Sequence, residues 1–175
     1  MFPRAPLSLQ EEIVMAARFS DRFGILSCVL LLCVLLSTPA AAQVDHSLYA
    51  TLLGRHVKGD LVDYAGMKRD AVMLDSYLDL MAGVVPDRLN RDEALAFYVN
   101  LYNAWTLKLI VDNYPDLESI KDLGWFLHTP WDKNLVVLGG RVISLDHLEH
   151  EIIRPQFQDA RVHFALNCTA LSCPP

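Results

Sequence analysis

The chain has 175 residues, with 15 Lys and Arg against 21 Asp and Glu, for a net charge of −6. No basic block follows residue 43, so the composition argues against nucleic acid as a partner. The high mean hydropathy is partly due to the N-terminal residues, and no apolar run after them is long enough to span a membrane.

The N-terminus reads as a secretory signal. Arg18 and Arg22 form a cationic region, Phe23 to Leu36 an apolar run of about 14 residues, and Ala40-Ala41-Ala42 a small-residue cleavage pattern before Gln43. The run is short for a membrane span of roughly 20 residues. Met15 is an alternative start, because residues 1–14 add nothing to the signal. Cleavage near Ala42-Gln43 would remove Cys28 and Cys33. The expected organisation is therefore a signal peptide over 1–42 and one domain over 43–175. The mature form would be exported, periplasmic or secreted, soluble and not membrane-spanning.

In the mature chain, Leu48, Leu52 and Leu53 recur at helical spacing, with Gly54 or Gly59 as the stop. Leu61 to Tyr64 reads as a short extended or turn segment. Apolar positions from Lys68 to Met81 predict an amphipathic helix. Glu93 to Asn113 is apolar at nearly every position and predicts a buried central helix, stopped by Tyr114-Pro115. Leu117 to Leu123 is a second short helix, followed by a loop with Trp125, Pro130 and Trp131. Asn134–Leu138 and Arg141–Ser144 flank Gly139-Gly140, a β-hairpin signal. Ser144 reads as the N-cap of a helix from Leu145 to Ile153, closed by Pro155. Val162 to Leu166 is a short apolar strand or buried segment. The fold class is α+β, mainly α, with a buried central helix, surrounding helices and a small β-hairpin. The last residues, Cys173-Pro174-Pro175, are loop chemistry directly after a reactive cluster, and the expectation is a truncated chain.

Three constellations could carry chemistry. Glu93, Asn100 and Asn103 share a face of the central helix and need polar partners if buried. They would either satisfy loop backbone, such as the segment after Cys168, or line a site. Asp146 to Glu151 sets His147 and His150 one turn apart, either a solvated face or a metal-binding one. His163-x4-Cys168-x4-Cys173 admits a structural disulfide, a nucleophilic thiol activated by a nearby imidazole, or a metal site completed by another ligand such as His150. The residues themselves indicate no cofactor.

Four stretches resemble the domain of unknown function 547 family: Glu93-Ala-Leu-Ala-Phe-Tyr-Val-Asn-Leu-Tyr-Asn-Ala104; Tyr114-Pro115 followed by Ser119-Ile120; Ser144-Leu-Asp-His-Leu-Glu-His150; and His163-Phe-Ala-Leu-Asn-Cys-Thr-Ala-Leu-Ser-Cys-Pro174. The likeness runs from about Leu52 to the end. The family's recurrent polar positions match Glu93, Asn100, Asn103, Glu149, His150, His163, Asn167, Cys168 and Cys173. The resemblance implies frequent export in bacteria. It also implies thiol chemistry by association, since some eukaryotic members are joined to glutaredoxin-like domains. The family's domain continues past the Ser-Cys-Pro turn with a further helical stretch, which this chain lacks.

The leading expectation is an exported thiol-dependent enzyme acting on a small-molecule or peptide substrate. Cys173 or Cys168 would be the reactive thiol and His163 or His150 its base, with Asn103 or Glu93 orienting that base. The alternatives are a non-catalytic envelope domain stapled by Cys168–Cys173, or a small His/Cys metal site.

Overall fold

The computed structural model describes residues 43–117, 119–124 and 129–167. The expected signal over 1–42, Trp125, and both Cys168 and Cys173 lie outside the described residues. Among the described residues no helix is long and apolar enough to cross a membrane.

Helix α1 (Ser47–His56) runs through Gly54 and passes directly into β1 (Val57–Lys58), which pairs antiparallel with β2 (Leu61–Val62). The turn between them uses Gly59 at φ +58°, a backbone conformation that favours glycine. The single helix predicted over Lys68 to Met81 is instead two, α2 (Tyr64–Arg69) and α3 (Ala71–Ala82), meeting at Asp70. Asp63 caps α2 by accepting a hydrogen bond from the Gly66 amide at 2.8 Å. His56 is wedged beside this junction, its Nε2 2.9 Å from Asp70 Oδ2.

The central helix α4 (Arg91–Asn113) starts two residues before Glu93. Its N-cap is Asn90, whose side chain accepts from the amides of Asp92 and Glu93, while the Glu93 carboxylate accepts from the Asn90 amide at 3.2 Å. This is a capping box, which satisfies helix-end donors reciprocally. At the other end Tyr114 is extended, at ψ 140°, as its position before Pro115 demands. Lys68 of α2 donates to the carbonyls of Val111 (2.8 Å) and Asp112 (3.2 Å), placing a cation on the negative end of the helix.

Helices α1, α2 and α3 pack together, and α2 and α3 also pack against α4. Phe97, Leu101, Ala104 and Val111 of α4 are fully buried with Leu52, Met67, Leu74 and Tyr77 in one core. Tyr49 stacks on Tyr77 at 4.9 Å, and the Tyr77 hydroxyl lies 2.7 Å from His46 Nδ1.

Beyond α4, Ile120–Leu123 is a 3-10 turn capped by Ser119 and Asp122, where a short helix was predicted. Pro130–Asp132 is a second such turn. The predicted hairpin forms with the expected bounds, β3 (Asn134–Leu138) against β4 (Arg141–Ser144), and Gly139 and Gly140 both take positive φ. Ser144 then caps the next helix, its hydroxyl accepting from the His147 amide at 3.0 Å.

Pro155 does not close that helix. α5 (Leu145–His147), a π-helical stretch (Leu148–Ile153) and α6 (Arg154–Phe157) run on in sequence, and Gln158 ends them at φ 50°. Proline lacks an N–H and crowds the carbonyl four residues back. It sits here as the second residue of α6, directly after the π-helical stretch, where the wider turn replaces the regular four-residue ladder. Val162–Ala165 is a helical turn, α7, rather than a strand. Val162 is its buried residue, and Leu166, just past its end, is buried as well. Among the described residues the architecture is α+β and mainly α, with two small antiparallel two-stranded sheets.

Candidate functional site

The site is built where α4 runs beside the π-helical stretch. The two are antiparallel neighbours. Arg91 near the start of α4 donates to the carbonyls of Gln156 (3.4 Å) and Phe157 (2.6 Å). Further along α4, Tyr102 lies close enough to Glu149 to feel the charge of its carboxylate.

Asn103 follows Tyr102 on α4. Its Nδ2 donates to the Ala165 carbonyl at 2.9 Å, and its Oδ1 accepts from the Asn167 amide at 2.9 Å. One amide thus grips the backbone on both sides of Leu166, on the approach to Cys168. A backbone donor and a backbone acceptor are matched by a group that carries one of each.

Glu149 lies on the π-helical stretch and its side chain is only 16% exposed. Burial, and next the charge of this carboxylate, push the Tyr102 phenol above its ordinary value. Glu149 Oε1 accepts twice from Arg154, from Nε at 3.0 Å and Nη2 at 2.6 Å. The same Nη2 lies 3.4 Å from His163 Nδ1. A polar chain therefore runs Glu149–Arg154–His163, from beside Tyr102 on the core side of α4 to the surface of α7.

The π geometry makes this chain possible. On an α-helix, residues five apart differ by about 140° and do not face each other. Here the Arg154 amide donates to the Glu149 carbonyl, a five-residue bond, which stacks the two residues on adjoining turns.

His150 lies on the same stretch but is half exposed, its Nε2 3.6 Å from Asp146 Oδ1. His163 is exposed on α7, with the Phe164 ring edge-on at 5.7 Å and itself 66% exposed. Glu93 is not brought to this cluster. It is committed to the capping box, about 15 Å along the helix from Asn103 at 1.5 Å per residue. Asn103 touches backbone rather than an imidazole, and the side chain that reaches His163 is Arg154. Cys168 and Cys173 lie outside the described residues, and among those described no three His, Cys, Asp or Glu side chains converge as a metal-holding group.

The family described as "Protein of unknown function, DUF547" matches residues 86–175. The chain belongs to this family. The match begins at the turn before α4 and takes in Asn103, the π-helical stretch and α7, so the polar chain is built entirely from the family's part of the molecule. Helices α1 to α3 precede it. No curated protein and no solved structure matches the chain.

Proposed function

We propose that this is an exported thiol-dependent enzyme whose reactive sulfur is Cys168 or Cys173. The observation that supports the reading best is the hold of Asn103 on Ala165 and Asn167, the backbone that leads into Cys168, with Arg154 reaching His163 on the helical turn just before it. Holding backbone on both sides of Leu166 restricts the path into the cysteine segment, and positioning of this kind is what nucleophilic catalysis requires. The His163 imidazole, reached by Arg154, is a further polar group on the turn that leads into this segment. In acyl transfer the thiolate would form a bond to a carbonyl carbon. The leaving group would depart with the proton taken from the thiol, and water would cleave the resulting thioester. In thiol–disulfide exchange the same thiolate would attack a substrate disulfide and release the second sulfur as a thiolate. The substrate in either case is a small molecule or peptide.

Full-length, signal-free protein should contain free thiol at Cys168 or Cys173 that alkylates faster than a model thiol at near-neutral pH. A fully oxidised, metal-free pair that resists mild reductant would remove the nucleophile. The second reading, a non-catalytic domain with a Cys168–Cys173 staple, is favoured by one feature. Asn103 spends its whole amide on backbone, as scaffolding would. It predicts that slow-alkylating, oxidised state.

A further inference from the structure

Arg154 is held on two sides. Its Nε and Nη2 both donate to Glu149 Oε1, which fixes the plane of the guanidinium. Glu149 is in turn largely buried, with its side chain only 16% exposed. One Nη2 hydrogen is used on Glu149, and the nitrogen lies 3.4 Å from His163 Nδ1. A guanidinium has five donors and no acceptor. A hydrogen bond between these two nitrogens therefore runs one way only, from arginine to histidine, and requires a lone pair on Nδ1. In a neutral ring the proton is then on Nε2.

We propose that Arg154 is the positioning residue of His163 and holds it in the Nε2–H tautomer, so that His163 presents a hydrogen-bond donor, not a base, to whatever occupies the site. On the thiol reading proposed above, on which this role rests, His163 would donate to the thiolate or to a developing oxyanion. Proton removal from the thiol would then fall to another group. His150, paired with Asp146 at 3.6 Å, is the other candidate imidazole. Of the two histidines expected as alternative bases, the assignment leaves His150.

The tautomer is read directly from the ring nitrogen shifts of 15N-histidine-labelled full-length protein near neutral pH. His163 is expected to show a lone-pair shift at Nδ1 and a protonated Nε2. Arg154→Met should return it to a tautomer mixture, and Arg154→Lys should do so in part, since an ammonium lacks the fixed fork. A protonated Nδ1 in the unsubstituted protein, or no change in a folded Arg154→Met variant, overturns the proposal; the first of these needs no variant to fold. Thiol alkylation on the same samples separates the role from the reading. His163→Gln keeps an N–H donor but no base, and should retain alkylation within about tenfold, the worth of roughly one hydrogen bond. His163→Leu should lose more. A His163→Gln variant as slow as His163→Leu would make the ring a base and defeat the donor role. Uniformly unreactive or oxidised thiols beside the expected ring shifts would defeat the enzyme reading while leaving the positioning by Arg154 intact.

Discussion

Asn103 spends both ends of its amide on one short stretch of backbone, and that makes it testable at single-residue resolution. Asn103→Ala removes an acceptor from the Asn167 amide and a donor from the Ala165 carbonyl. Each bond is worth about 1 kcal/mol net. The Asn167 amide should therefore exchange its hydrogen roughly five- to tenfold faster, with a loss of about 1–2 kcal/mol in denaturant unfolding. An unchanged exchange rate at Asn167 would show that the clamp does not hold that segment in solution. Asn103 and Glu93 look alike in the sequence, as polar residues on one face of an apolar helix, yet their tasks differ. Glu93→Gln should cost no more than about 0.5 kcal/mol, because a glutamine oxygen can still accept from the Asn90 amide in a capping box. It should leave thiol alkylation unchanged; a large drop there would mean that Glu93 reaches the site after all. The sequence contained the signal for this. Asn90 followed three residues later by Glu93, just ahead of an apolar run, is a helix-start signature.

At the scale of elements, the two termini of α4 are secured by different chemistry. Asn90→Ala should destabilise the protein by about 1 kcal/mol, and Asn90→Ser by much less, since serine fills the same cap. Denaturant midpoints at constant slope would measure both, and equal losses for the two variants would argue against the cap. The π-helical stretch has a larger consequence. Its five-residue bond brings Glu149 under Arg154, and α6 begins in a register that tolerates Pro155. An α-helical reading of Leu145 to Ile153 looks for partners three and four residues apart and finds Asp146 with His150. It passes over Glu149 with Arg154, because nothing in local sequence spacing announces a widened turn. The same reading stops at Pro155, where proline would break a regular helix but does not break this one.

At the scale of the whole molecule, ionisation brackets the pH range of stability. Asp45 is held below its usual value by the Ser47 backbone amide, Asp70 by the hydrogen bond from His56, and Asp159 by its hydrogen bonds with Arg161, down to about 2. Depressed carboxyls contribute stability above their unfolded value. That contribution is lost as pH falls below the ordinary carboxyl value near 4 and the groups become protonated. Tyr49, Tyr77 and Tyr102 are raised, in each case chiefly by burial. Their contribution is complete below the ordinary phenol value near 10 and disappears as pH climbs beyond it. Thermal unfolding against pH should therefore show a plateau with both flanks. Asp70→Asn should flatten the acid flank, and an unaltered flank would mean that the His56 bond is not made in solution. The core is the other support of the whole. Phe97 is completely buried at the middle of the helix packing, and Phe97→Ala should cost about 3–5 kcal/mol in the same assay.

The sequence by itself determined the elements whose causes are local. The apolar density of residues 93 to 113, the proline after Tyr114, the paired glycines at 139 and 140, and the hydroxyl of Ser144 each act within a few residues. All four do in the structure what their chemistry requires. Only the tertiary structure decided which polar groups meet. Asn103 finds Ala165 and Asn167 more than sixty residues away. Arg154 links Glu149 to His163 because a π turn rotates one side chain into line while α7 folds back to supply the other. Helical spacing predicts neighbours along one element. Contacts between elements depend on how buried apolar faces dock, and a single added residue in one helical turn changes which polar side chains that docking brings together.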